Sequence, residues 1–149
     1  MPGPYTPTDS LIGPIATFIA NLITTQIPSI THVYPTLTDR APSDNAVVLR
    51  FTRGKIVDET NGKIRVVLTY TMNHLFRRAE IDASLLRAYA YAVPWMRFLA
   101  AIPNQALGGL AISMTATDLA TTQVPISGQP TIALVVDFNV HTEFNLDQT

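Results

Sequence analysis

The chain has no cysteine among its 149 residues. That excludes a disulfide scaffold, a thiolate nucleophile and a thiolate-bound metal. Charge is scarce too: Asp, Glu, Lys and Arg make up 14% of the residues, against about 25% in an average globular chain. A net charge of −1 gives no global attraction to nucleic acid. The longest apolar segment, IATFIANLI, is far short of the ~20 residues needed to span a bilayer. The opening MPGPYTPTDS lacks the basic start and apolar core of a secretion signal, so the chain is expected to be soluble and intracellular at synthesis.

Chemistry-bearing motifs are missing as well. There is no P-loop, GxGxxG, GxSxG or HExxH pattern, and no Cys/His cluster. His32, His74 and His141 stand apart and read as surface or strand-face histidines rather than metal ligands. Glu80 and Asp82 suit a helix N-terminus better than an acid/base pair, and Asp58-Glu59 read as solvated turn charge. No catalytic residue, metal or cofactor is expected, and the chain does not read as an enzyme.

What charge there is lies unevenly. All ten Lys and Arg fall between Arg40 and Arg97, while residues 101–149 carry only Asp118, Asp137, Glu143 and Asp147. If these segments occupy different faces, opposite patches on identical subunits suit head-to-tail contacts. Low charge also fits a surface partly buried in an assembly, although a neutral surface rich in Thr and Asn would give the same composition.

Residues 1–9, with three prolines and a glycine, read as an extended arm, and residues 10–149 as one domain. Leu11, Ile15, Phe18, Ile19 and Leu22 have the spacing of an amphipathic helix capped by Ser10 or Gly13 and ended by Pro28. SITHVYP is a short strand before a polar loop. AVVLRFTRG and KIRVVLTYTM are strands joined through the hairpin signal Asn61-Gly62, and their flanks can extend the hairpin beyond the body. Arg50, Arg53, Lys55, Lys63 and Arg65 gather on this hairpin. With Phe76 and Arg77-Arg78 they give a limited case for phosphate contact; the plainer reading is a sheet edge protected by charge.

A second helix runs through EIDASLLRAYAYAVPWMRFLAAI, with Ile81, Leu85, Tyr89, Ala92, Met96 and Leu99 as its buried stripe. Pro94 is expected to kink or divide it. Tyr91 and Trp95 point elsewhere and become candidate interface anchors. LAISMTATDLA is a further strand, and TTQVPISGQP a loop. The closing PTIALVVDFNVHTEFNL alternates apolar and polar residues over roughly fifteen positions, about 50 Å at ~3.4 Å per residue. Its far end, His141, Glu143, Phe144 and Leu146, is longer than the domain needs and is expected to pack across a subunit boundary. The order of elements implies an α+β fold, a mainly antiparallel sheet with two helices packed on one face.

This layout resembles the tail terminator (tail completion) proteins of long-tailed bacteriophages. The segments that carry the resemblance are LIGPIATFIANLI, KIRVVLTYTM and GGLAISMTATDLA with PTIALVVDFNVHTEF, which with the elements between them cover most of the chain after the arm. The resemblance implies a virion structural protein, assembled in the host cytoplasm, that forms a homo-oligomeric (hexameric) ring. Such a ring caps the tail tube and joins it to a head connector or stopper protein, with DNA passing only as transient cargo and no membrane partner. The basic hairpin (Arg50, Arg53, Lys55, Lys63, Arg65) is then expected to contact a neighbouring subunit or the tube. The alternatives are another head–tail joining or neck protein and, in a different class, a small ligand-binding module with the helices as one pocket wall.

Overall fold

The computed structural model describes residues 7–36, 42–60, 62–77, 80–126 and 128–145. Four long strands dominate: β2 (Ala46–Thr60), β3 (Lys63–Arg77), β4 (Ser113–Ile126) and β5 (Gln129–Asn145). A short β1 (His32–Tyr34) lies parallel to the start of β2, and the other neighbours are antiparallel in the order β1-β2-β3-β5-β4. Helices α1 (Ile12–Gln26) and α2 (Ile81–Ala100) share one face of this sheet, and the short α3 (Ile102–Gln105) follows α2. The fold is α+β, as the order of elements implies.

The core forms where the strands alternate. Val47 and Leu49 of β2, Leu68, Tyr70, Met72 and Phe76 of β3, and Ile132 through Val140 at even positions of β5 face the helices. From α1 come Ile15, Ile19 and Ile23, and from α2 Trp95, Phe98 and Leu99. Phe51, Tyr70 and Phe138 form an aromatic row across three strands, and the Tyr70 hydroxyl donates to the Ile12 carbonyl at 2.9 Å, fixing the start of α1. The α1 N-terminus is held by Asp9, whose carboxylate accepts the Gly13 amide at 3.0 Å; neither Ser10 nor Gly13 is the cap. Beyond α2 the chain turns back through Gly108 (φ 65°), where a Cβ would come within 2.6 Å of Phe18. Only glycine fits that turn.

Three elements differ from the sequence reading. First, α2 buries Ser84, Ala88, Trp95, Phe98 and Leu99, and leaves Ile81, Tyr89 and Met96 exposed. Small Ser84 and Ala88 let the helix backbone approach the sheet, so the bulkier stripe turns outward. Second, α2 is not divided at Pro94: the proline sits on the exposed side, where water can satisfy the carbonyl it leaves unpaired. Third, most of TTQVPISGQP is not loop, because β4 runs on to Ile126 and pairs with β5 as far as Gln129.

Candidate functional site

The two faces of the sheet differ in chemistry. Opposite the helices, consecutive rows run straight across four strands. One row is Arg50–Thr71–Asp137–Asp118 and the next is Arg53–Thr69–Asn139–Thr115. A third is Lys55–Val67–His141–Ser113. In β3 and β5 these residues are two apart and so share one face. The three-residue steps from Arg50 to Arg53 and from Thr115 to Asp118 stay on it because a bulge in each strand adds one residue. A shallow concavity of about 650 Å³ lies here, lined by Arg50, Arg53, Thr69, Thr71, Asp118 and Asp137 among others. It is walled by strands and not by helices, so it lacks the helical wall expected of a ligand-binding module.

Short bonds order the middle of the face. Thr71 Oγ1 donates to Asp137 Oδ1 at 2.6 Å, and Thr69 Oγ1 to Asn139 Oδ1 at 2.8 Å. Asp118 Oδ1 accepts the Leu119 amide at 2.9 Å beside a bulge between Ala116 and Asp118. Toward the hairpin tip, Glu143 bridges Lys63 at 3.7 Å and Arg65 at 3.5 Å. Of the five hairpin cations, Lys63 and Arg65 are therefore engaged within the chain, whereas Arg50, Arg53 and Lys55 form no ion pair among the described residues.

The far end of β5 has in-chain partners as well. Lys63, Ile64 and Arg65 pair with Asn145, Phe144 and Glu143. Thr142 is buried and donates to the Leu110 carbonyl at 2.9 Å. His141 is half-buried, Phe144 is exposed, and Leu146 lies outside the described residues. This hairpin tip overhangs β4, which begins only opposite His141. On the helix side of the overhang, Ile56 and Phe144 are exposed and Ile64 is half-buried.

Trp95 is not a surface anchor. It is 0% exposed, and its Nε1 donates to His74 Nδ1 at 3.1 Å. Tyr91 is half-buried, with its ring against His74 and Phe76 and its hydroxyl bonded to Ser29 at 2.8 Å. Both belong to the seam between α2 and the sheet. His74 is buried in the same seam rather than on the surface, and burial, then the Arg87 charge, pushes its pKa down to about 3 against a smaller opposing effect of Asp44. With Nδ1 accepting from Trp95, Nε2 carries the proton and donates to Asn45 Oδ1 at 2.7 Å. Arg77 donates to the Pro42 carbonyl at 2.7 Å and to Gln129 at 3.2 Å, and Arg78 lies outside the described residues.

No protein-family model matches the chain, and no curated protein matches it significantly. Among the described residues no three His, Asp or Glu side chains converge as a metal site would require, and no helix is long and apolar enough to cross a membrane.

The outline missing from the sequence reading is that of the edges. One side of β4 has no strand beside it over fourteen residues, among those described. On the opposite edge, β1 covers β2 at Ala46–Val48, and 49–60 have no further strand beside them among the described residues. The sequence held a hint in the near absence of charge from SMTATDLATTQVPI, whose one charged residue is Asp118. Exposed edges are ordinarily protected by charge or proline, because unpaired N–H and C=O groups recruit other strands. β4 has a bulge near its middle and Pro125 at one end, and little else.

Proposed function

We propose that the chain is a virion structural protein that works as a phage tail terminator, assembling into a ring that caps the tail tube and joins it to the head connector. The observation that carries this reading is the open, nearly uncharged β4 edge on a sheet with a second open edge at β2. A sheet with two available edges closes its hydrogen bonds by meeting copies of itself, and closure into a ring removes the edges. Four strands of 14 to 17 residues outreach a short domain and give such a ring height. The resemblance in layout supplies the particular job.

The mechanism is steric and electrostatic, without a catalytic residue or cofactor. One end of the ring fits the last ring of the tube and occupies the surface on which another tube subunit would add. The other end receives the connector or stopper protein. The polar face rich in Thr and Asn faces the channel, where DNA passes as cargo. Thr69, Thr71, Asp137 and Asn139 in the middle of that face offer few phosphate contacts that would hold DNA, while Arg50, Arg53 and Lys55 stand at its β2 edge.

Negative-stain imaging of the purified protein, alone and mixed with tail tubes, tests the proposal. Rings seated at one tube end, with tube growth stopped, are expected. Monomers that leave tube ends bare and tube length unchanged would refute it.

A further inference from the structure

The two open edges are complementary in charge and direction. β2 is antiparallel to β3, β3 to β5 and β5 to β4, so β4 runs opposite to β2. Copies placed side by side about an axis along the strands therefore bring β4 of one against β2 of the next in the antiparallel sense. That ladder is the more stable of the two kinds and needs no connection between the strands.

Charge points to the same pairing. Asp118 lies directly opposite Asp137 in the β4–β5 register. Two like charges opposed on neighbouring strands are unfavourable, and a cation beside them relieves the repulsion. Thr71 and the Leu119 amide donate hydrogen bonds to these carboxylates without supplying positive charge. Meanwhile Arg50, Arg53 and Lys55 stand on the open part of β2, on the same sheet face as Asp118, and form no ion pair among the described residues. Residues 50–55 of β2 thus carry the positive charge that the β4 edge lacks around Asp118, while Asp58 and Glu59 lie farther toward the hairpin tip.

We infer that residues 113–118 of β4 in one copy pair antiparallel with residues 50–55 of β2 in a second copy, and that Asp118, backed by Asp137, meets Arg50 and Arg53 of that copy. The inference rests on the ring reading and names the contact that closes it. It makes the contact heterologous: each copy uses a β4 edge and a β2 edge, as a ring requires. It also gives Arg50 and Arg53 a different part from Lys63 and Arg65, which Glu143 already holds.

Charge exchange tests the contact. Asp118→Arg alone, and Arg50→Asp with Arg53→Asp, should each weaken self-association of the full chain by about tenfold or more. The three substitutions in one chain should restore it. So should an equimolar mixture of the two defective proteins, because every junction in an alternating ring is then complementary. Sedimentation velocity reads assembly, and circular dichroism with denaturant unfolding verifies that each variant is folded. A folded variant that assembles like the parent, or a triple variant that stays dissociated, overturns this contact while rings of the parent chain leave the ring reading standing. A parent chain that stays monomeric alone and on tail tubes overturns both.

Discussion

Lowering the pH from about 7.5 to about 5 should destabilise the protein by about 2 kcal/mol through His74 alone. The ring is wholly buried, its two nitrogens are both engaged, and the folded-state pKa falls from 6.5 to about 3. In the unfolded chain the imidazole takes up its proton near the ordinary value, while in the folded chain it stays neutral. Between those two values the unfolded state binds more protons, so stability falls as pH falls; above the ordinary value both states are neutral and the contribution is flat. At about pH 5 the unfolded imidazole is almost fully protonated and the folded one is not, which gives the ~2 kcal/mol. The geometry supplies the cause, since a proton on Nδ1 would face the Trp95 N–H that now donates to it. The single tryptophan is a fully buried probe of unfolding. Denaturant titrations followed by its fluorescence at the two pH values, in the parent and in His74→Gln, isolate the effect. His74→Gln should be less stable at neutral pH but lose less on acidification, by about 2 kcal/mol. Equal pH dependence in the two proteins would refute the neutral, trapped imidazole.

Gly108→Ala should cost more than about 1 kcal/mol, because φ is 65° and the added methyl meets the Phe18 ring; thermal unfolding measures it, and an unchanged midpoint would contradict the close approach. Tyr70→Phe removes the hydroxyl that donates to Ile12, and should cost about 1 kcal/mol in denaturant unfolding. Burial, then the charge of Asp9, pushes that phenol well above its usual pKa, so the hydroxyl remains a donor throughout the accessible pH range. Ending the chain before Phe144 removes the strand opposite Lys63 and Ile64 and an exposed apolar side chain. The shortened chain should remain folded while ring formation weakens, as sedimentation and circular dichroism can separate; an unfolded product would place this end of β5 in the core.

The legibility of the sequence followed the contrast between the faces of each element. β5 separates apolar even from polar odd positions through most of its length, and β2–β3 has both a strand pattern and a turn signal at Gly62, whose φ is 75°. These were readable, as was the collection of Arg50, Arg53 and Lys55 on one hairpin. The second half of β4 was not. An edge strand with few buried side chains writes no alternation into its sequence, and Pro125 resembles a breaker although an edge tolerates the missing N–H. In α2 the periodicity was correct and the phase was not. The helix is apolar on two sides, Leu86, Tyr89, Val93 and Met96 being exposed, and spacing alone cannot say which side meets the sheet. Trp95 was misplaced for that reason. The opposed carboxylates and the row from Arg50 to Asp118 depend on pairing across distant strands, which local patterns do not encode.

The place of β5 between β3 and β4 also bears on how the chain folds. Its ladder joins Lys63 to Asn145 and Arg77 to Thr131, and α2 lies within the intervening loop. The β2–β3 hairpin and both helices can form from local contacts, but the central pairing must close segments roughly fifty to eighty residues apart before it is rewarded. Folding should therefore be limited by the meeting of β3 with β5, on the millisecond-to-second scale of non-local β topologies. Substitutions in the Tyr70–Phe138 stack should then slow folding, while those at the hairpin tip mainly speed unfolding. Until β5 docks, one side of β3 remains available to any strand, including that of another chain.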